Sequence, residues 1–88
     1  MHEHGVADRI LEVVLARAAV AGAARVTEVH LEIGSDSGIS AESIELYWEH
    51  VREGTPAADA RLRIVTAADP TAFRLVAIDV DDPGAASA

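Results

Sequence analysis

The sequence predicts a small α+β domain in which two helices pack on a three-stranded mixed sheet, in the order helix, strand, helix, strand, strand. Three observations lead to this fold class. Two stretches repeat apolar residues every three or four positions, two shorter stretches alternate apolar and polar residues, and a third short stretch is almost entirely apolar. The 88 residues leave room for one two-layer core and no second domain.

The first helix is predicted from Val6 to Ala21. Its apolar positions recur at helical spacing and define one buried face. Gly5 and the acidic Asp8 suit the start of a helix, and Gly22 suits its end.

The first strand is predicted from Arg25 to Ile33 because apolar and polar residues alternate along it. Thr27, Val29, Leu31 and Ile33 form one face, and Val26, Glu28, His30 and Glu32 form the other. His30 between two glutamates suggests a metal site, but the pattern favours a solvated polar face. The following residues 34–38 are predicted to form a connecting loop.

The second helix is predicted to begin after Ser40, whose hydroxyl suits an N-cap, and to end before Gly54. Its buried face is formed by Ile44, Tyr47, Trp48 and Val51. Its outer face carries an acidic stripe formed by Glu42, Glu45, Glu49 and Glu53. We interpret this stripe as solvated surface.

The last two strands are predicted at Ala60–Thr66 and Phe73–Val80. Asp69 and Pro70 between them suit a type I turn, which predicts a hairpin. The final strand is apolar on both faces except at Arg74 and Asp79, so we expect it to be the best-covered strand. Residues 1–80 are thus expected to form a single domain, with 81–88 as a disordered tail.

Composition excludes several classes of function. The formal charge of −8, from 7 basic and 15 acidic residues, argues against nucleic-acid binding. The absence of cysteine excludes disulfides, thiolate metal sites and cysteine nucleophiles. No apolar run reaches the length of a membrane span and no signal peptide precedes the helix, so we expect a cytoplasmic protein with no membrane partner. No catalytic motif indicates an enzyme.

The first four residues, Met1, His2, Glu3 and His4, are the candidate metal site. Imidazole nitrogens are common metal ligands, and the Met1 amine, the His2 amide and the His2 Nδ1 atom are placed to close successive chelate rings. The amide of Glu3 would complete a square of nitrogens, a geometry that favours Cu(II) or Ni(II). The alternative is an ordinary polar chain end.

The chain resembles the HypA family over nearly all of its predicted ordered length. The resemblance rests on the start Met1-His2-Glu3, the runs 10–14, 25–29 and 31–34, and Glu53-Gly54-Thr55. HypA proteins are nickel metallochaperones of [NiFe]-hydrogenase and urease maturation. The resemblance implies that His2 and Glu3 bind Ni(II) and that a maturation GTPase or a nickel-enzyme subunit is the partner, with homo-oligomerisation possible.

The chain departs from the family pattern at three places. HypA proteins normally carry a zinc domain with two Cys-x-x-Cys pairs between their last two long strands, and a short turn around Asp69 replaces it here. Without those cysteines no zinc can bind in the way the family binds it, so we expect no zinc cofactor of that kind. Ser35 stands where an acidic residue is usual, and His4 adds an imidazole.

Two functions follow from these features. The first is a nickel metallochaperone that delivers Ni(II) during maturation of a nickel enzyme such as [NiFe]-hydrogenase. The alternative is an interaction or regulatory module that kept the scaffold and lost metal delivery, and that binds a protein through an exposed strand edge or the acidic helix.

Overall fold

The computed structural model describes residues 3–81 and confirms the predicted fold class. Its elements in chain order are α1 (Glu3–Val20), β1 (Arg25–Ile33), α2 (Ala41–Val51), β2 (Arg61–Thr66) and β3 (Phe73–Asp81). The two helices pack on one face of a three-stranded mixed sheet. The other face carries no helix of the described chain.

The helix ends lie within three residues of the predicted positions, and α2 ends at Val51, two residues before its predicted end. The helix α1 begins at Glu3, three residues before the predicted start, so Gly5 lies inside it. Gly22 has a φ of 69° just beyond its end, a backbone conformation that glycine adopts without steric cost. Ser40 is the N-cap of α2, and its hydroxyl accepts a hydrogen bond of 3.3 Å from the amide of Ser43.

The strand order is β2-β1-β3, so the predicted hairpin between the last two strands is wrong. The strand β1 lies in the middle, parallel to β2 from Glu28↔Arg61 to Ile33↔Thr66 and antiparallel to β3. The helix α2 carries the chain back between β1 and β2, which makes these two strands parallel neighbours. The turn signature at Asp69 was a local signal and could not show which strand lies between the two.

The expectation that the last strand is the best covered is also wrong. None of the residues of β3 is fully buried, whereas Val26, Val29, Leu31 and Ile33 of the central strand are. A register shift between the His30↔Ala77 and Leu31↔Leu75 pairs leaves Val76 as an extra residue in β3. This bulge puts Phe73, Leu75, Ile78 and Val80 on the face toward the helices, and it explains why strict alternation assigned apolar residues to both faces.

A second register shift corrects the predicted face of Val26. The pairs Val26↔Val80 and Glu28↔Asp79 leave Thr27 as an extra residue of β1. Val26 is therefore buried on the same side as Val29, although the two are three residues apart, and Thr27 is half-exposed.

Trp48 lies at the centre of the core between the helices and the sheet. Its side chain is 2% exposed, and its indole Nε1 donates a hydrogen bond of 2.9 Å to the carbonyl oxygen of Ala60. Arg52 Nη1 donates to the same oxygen at 2.7 Å. The start of β2 is thus tied to the last turns of α2.

Residues 67–72 connect β2 to β3 by crossing the end of β1. The Ala67 amide donates to the Ile33 carbonyl at 3.1 Å, the Gly34 amide to the Ala72 carbonyl at 2.7 Å, and the Asp36 amide to the Pro70 carbonyl at 2.6 Å. A hydrogen bond of 3.1 Å from the Ala72 amide to the Asp69 carbonyl closes the predicted turn.

Asp69 stabilises this turn from within. Its Oδ1 atom accepts hydrogen bonds of 2.9 Å from the Thr71 amide and 2.8 Å from the Thr71 hydroxyl. These two hydrogen bonds, the amide first, lower the pKa of the Asp69 carboxyl below its ordinary value because they favour the charged form.

The boundary predicted for the C-terminal tail moves by one residue. Asp81 is the last residue of β3 and pairs with Arg25, so it belongs to the sheet. The remainder of the predicted tail, residues 82–88, lies outside the described residues.

Candidate metal centre

The predicted N-terminal metal site falls partly outside the described residues. Met1 and His2 are not described, and Glu3 and His4 are described as the backbone of the first turn of α1. The first four amides of an α-helix have no partner within the helix. Because α1 starts at Glu3, the Glu3 amide belongs to this group and keeps no intrahelical acceptor.

Packing of α1 holds its first turns at one end of the sheet. Val6 and Ile10 are buried in the core, at 4% and 5% exposure, and Ala7 is fully buried. This packing begins three residues after the predicted metal ligand Glu3. The start of α1 is therefore attached to the core and does not extend freely into solvent.

A groove of about 540 Å³ lies beside the first turns of α1. Val6 and Ile10 form one wall, the loop at Gly38 and Ile39 another, and Phe73 at the start of β3 a third. The first turns of α1 thus lie near the carboxyl end of β1. Among the described residues, this groove brings no cluster of metal-ligating side chains to the start of α1.

The open face of the sheet carries a cluster that the sequence indicated only in part. His30 Nε2 lies 3.0 Å from Asp79 Oδ2 and 3.8 Å from Glu28 Oε1. Glu28 and His30 were recognised from their alternation along β1, and we expected a solvated polar face. Glu32, the other predicted neighbour, instead pairs with Arg74 at 2.8 Å.

Asp79 is the residue that the sequence analysis missed. It lies 49 positions after His30 and reaches it because β3 pairs with β1 through the register Glu28↔Asp79. No local signal marks this contact. A correct antiparallel alignment of the first and last strands would have found it.

The acidic stripe lies on the surface as predicted, with Glu42, Glu45 and Glu49 on α2 and Glu53 in the turn that follows it. All four of its glutamates are exposed, as is the neighbouring His50. Within residues 3–81 no helix is long and apolar enough to cross a membrane.

The chain is similar to proteins of one family. The family model described as "Hydrogenase/urease nickel incorporation, metallochaperone, hypA" matches residues 1–72. A hydrogenase maturation factor HypA from Chloroflexus aurantiacus is 39% identical over 64 residues, which are 73% of this chain and 56% of that protein. The corresponding protein from Methanopyrus kandleri is 41% identical over 64 residues, 73% of this chain and 45% of its own length.

Solved structures show the same fold. The solution structure of the Ni metallochaperone HypA from Helicobacter pylori superposes with a TM-score of 0.85 at 17% identity, covering 93% of this chain and 99% of that chain. A second solution structure of a HypA protein gives a TM-score of 0.76 at 19% identity, with 91% and 96% covered.

The chain spans about half the length of the curated relatives named above, and the matched stretch begins at Met1 and includes both helices and the first two strands. A family match over residues 1–72, relatives at 39% and 41% identity, and a shared fold together establish the identity: the chain belongs to the HypA family of nickel metallochaperones.

Proposed function

We propose that this chain is a nickel-binding metallochaperone module that delivers Ni(II) during maturation of a nickel enzyme such as [NiFe]-hydrogenase. The observation that carries the proposal is the family match over residues 1–72, which includes Met1, His2 and Glu3. The relatives are described as hydrogenase maturation factors. Nickel is the cargo of such a protein, and no catalytic role is proposed.

The proposed nickel ligands are Met1, His2 and Glu3, with His4 as an auxiliary ligand. The start of α1 at Glu3 supports a main-chain chelate, because the Glu3 amide has no acceptor within the helix. The chelate then has four nitrogen donors: the Met1 amine, the His2 amide, the His2 imidazole and the Glu3 amide. Nitrogen ligands in a square suit Ni(II).

Nickel titration of two forms of the protein tests this site. One form begins at Met1, and the other carries one extra residue ahead of it, which moves the amine out of register but leaves both imidazoles and the fold. We expect the extension to weaken nickel binding by at least about tenfold, on the order of 1.4 kcal/mol. Equal affinities and equal d-d absorption spectra would exclude the main-chain chelate.

Two substitutions compare how much each imidazole contributes to nickel binding. His2 closes chelate rings with the chain end, whereas His4 binds only through a longer loop of atoms. His2→Ala should therefore weaken nickel binding more than His4→Ala does. If the two variants lose affinity equally, a site made of side chains alone replaces the chelate.

The proposed partner is a maturation GTPase or a nickel-enzyme subunit. The delivery function predicts that nickel passes from the loaded protein to such a partner, measured by the metal content of each protein after separation. Transfer should stop when the N-terminus is extended.

The second candidate function is a protein-interaction module without metal delivery. The open sheet face favours it, since Val65 and Val76 are 58% and 45% exposed there. Partner binding that persists in the N-terminally extended protein, combined with no nickel transfer from either form, would support this candidate over delivery.

A further inference from the structure

We propose that Glu28, His30 and Asp79 form a second metal site, on the open face of the sheet, for one divalent first-row transition ion such as Zn(II) or Ni(II). None of these residues belongs to the N-terminal segment. Glu28 and His30 alternate with Val29 and Leu31, which are buried against the helices. The cluster therefore lies on the face of the sheet opposite α1.

The three donor atoms are close enough for one ion. One atom from each side chain lies within 4.8 Å of the other two. The individual separations from His30 Nε2 are 3.0 Å to Asp79 and 3.8 Å to Glu28. Zinc ligands at about 2.0–2.1 Å in a tetrahedron lie about 3.3 Å apart, so small side-chain rotations suffice.

The scaffold under the cluster is rigid on both sides. Glu28 and His30 belong to the central strand, which is hydrogen-bonded to β2 and to β3. Glu28 and Asp79 are directly paired across the β1–β3 ladder, and the bulge at Thr27 immediately precedes them. Ligands on paired strands lose less conformational entropy on metal binding than ligands on loops.

Arg63 orients Glu28 without blocking it. Its Nε atom donates to Glu28 Oε2 at 3.1 Å, which leaves Oε1 facing His30. Such partners of ligating carboxylates hold the ligand in position. A bound ion replaces the hydrogen bond between His30 and Asp79 and keeps the Arg63 contact.

The charge and donor set define the class of ion. The two carboxylates of Glu28 and Asp79 balance the charge of one divalent ion. One imidazole with two carboxylate oxygens suits borderline ions such as Zn(II) and Ni(II), whereas Mg(II) and Ca(II) prefer oxygen alone. His30 is 36% exposed, so water has access to the remaining coordination position.

Zinc titration of a variant with His2→Ala and His4→Ala isolates this site from the N-terminus. We expect this background protein to bind one equivalent of Zn(II), measured by competition with a chromophoric chelator. Adding His30→Gln should weaken binding at least about tenfold. Adding His50→Gln is the matched control, because His50 is an exposed histidine on α2, and it should leave the affinity unchanged.

Asp79→Asn tests the carboxylate separately. Asparagine keeps a hydrogen-bonding group beside His30 but removes the charge, so zinc binding should again weaken. NMR of the background protein should show shifts of the His30 ring on zinc addition and none of the His50 ring. Absence of saturable zinc binding, equal effects of His30→Gln and His50→Gln, or an unchanged affinity in Asp79→Asn would each overturn the proposal. Failure of the proposed N-terminal nickel site would not change this test, because the background protein already lacks the imidazoles of His2 and His4.

Discussion

Among the described glycines, Gly34 is the position where the fold leaves least room for a side chain. A Cβ atom placed on Gly34 would lie 2.5 Å from the carbonyl oxygen of Asp69 and would overlap the Pro70 carbonyl still more closely. These neighbours are backbone atoms of the connection between β2 and β3. Gly34→Ala therefore forces that connection away from the end of β1.

The free energy lost in Gly34→Ala depends on which backbone groups the added methyl group displaces. Overpacking a closed site costs roughly 1–3 kcal/mol, and each backbone hydrogen bond that stretches costs about 0.5–1.5 kcal/mol. The bonds at risk are those from the Gly34 amide to Ala72 and from the Asp36 amide to Pro70. We expect a total loss of roughly 2–6 kcal/mol in the free energy of unfolding, by addition of the overpacking range and the range for two hydrogen bonds.

Urea denaturation followed by circular dichroism measures this loss. At about 4–8 °C per kcal/mol for a domain of this size, the melting temperature should fall by at least about 8 °C. Gly5→Ala is the matched control, since its Cβ would meet nothing within 4 Å and alanine favours a helix. If Gly34→Ala and Gly5→Ala are equally stable, the close approach of the connection to Gly34 does not exist in solution.

Trp48→Phe should cost only roughly 1–3 kcal/mol in urea denaturation, because Arg52 still donates to the Ala60 carbonyl. The double variant Trp48→Phe/Arg52→Ala should lose more than the sum of the single losses, and additivity would contradict the shared acceptor. Asp69 stabilises the fold above its unfolded pKa of about 3.8 and loses this contribution as the pH falls through its lower folded pKa. The melting-temperature advantage over Asp69→Asn should therefore shrink below about pH 3.8, and a constant advantage would contradict it. Chelator-treated protein should melt cooperatively by circular dichroism, because the core described within residues 5–81 buries no polar or charged side chain. A metal-dependent melt would refute this, as structural metal modules show.

The type of each secondary-structure element, helix or strand, could be predicted because it depends on sequence patterns of a few neighbouring residues. Helical and alternating periodicities are short-range patterns, so β1 was predicted at its observed bounds, Arg25–Ile33, and Ser40 was recognised as the N-cap of α2. The start of α1 was missed by three residues because the polar segment 2–5 carries no apolar repeat. The N-terminal ligands remain a prediction, since Met1 and His2 lie outside the described residues.

Strand order was decided by tertiary structure alone. The turn at Asp69 indicated a hairpin, yet β1 lies between β2 and β3, and Gly34 allows the connection to cross its end. The apolar repeat of a strand shows which residues are buried but does not name the neighbouring strand.

The cluster of Glu28, His30 and Asp79 was likewise predictable from the sequence only in part. The sequence by itself placed Glu28 and His30 on one face of a strand, because side chains alternate along an extended backbone. Asp79 joined them only through the antiparallel pairing of β3 with β1 and the bulges that set its register. Contacts between residues 49 positions apart depend on chain packing, which no local pattern specifies.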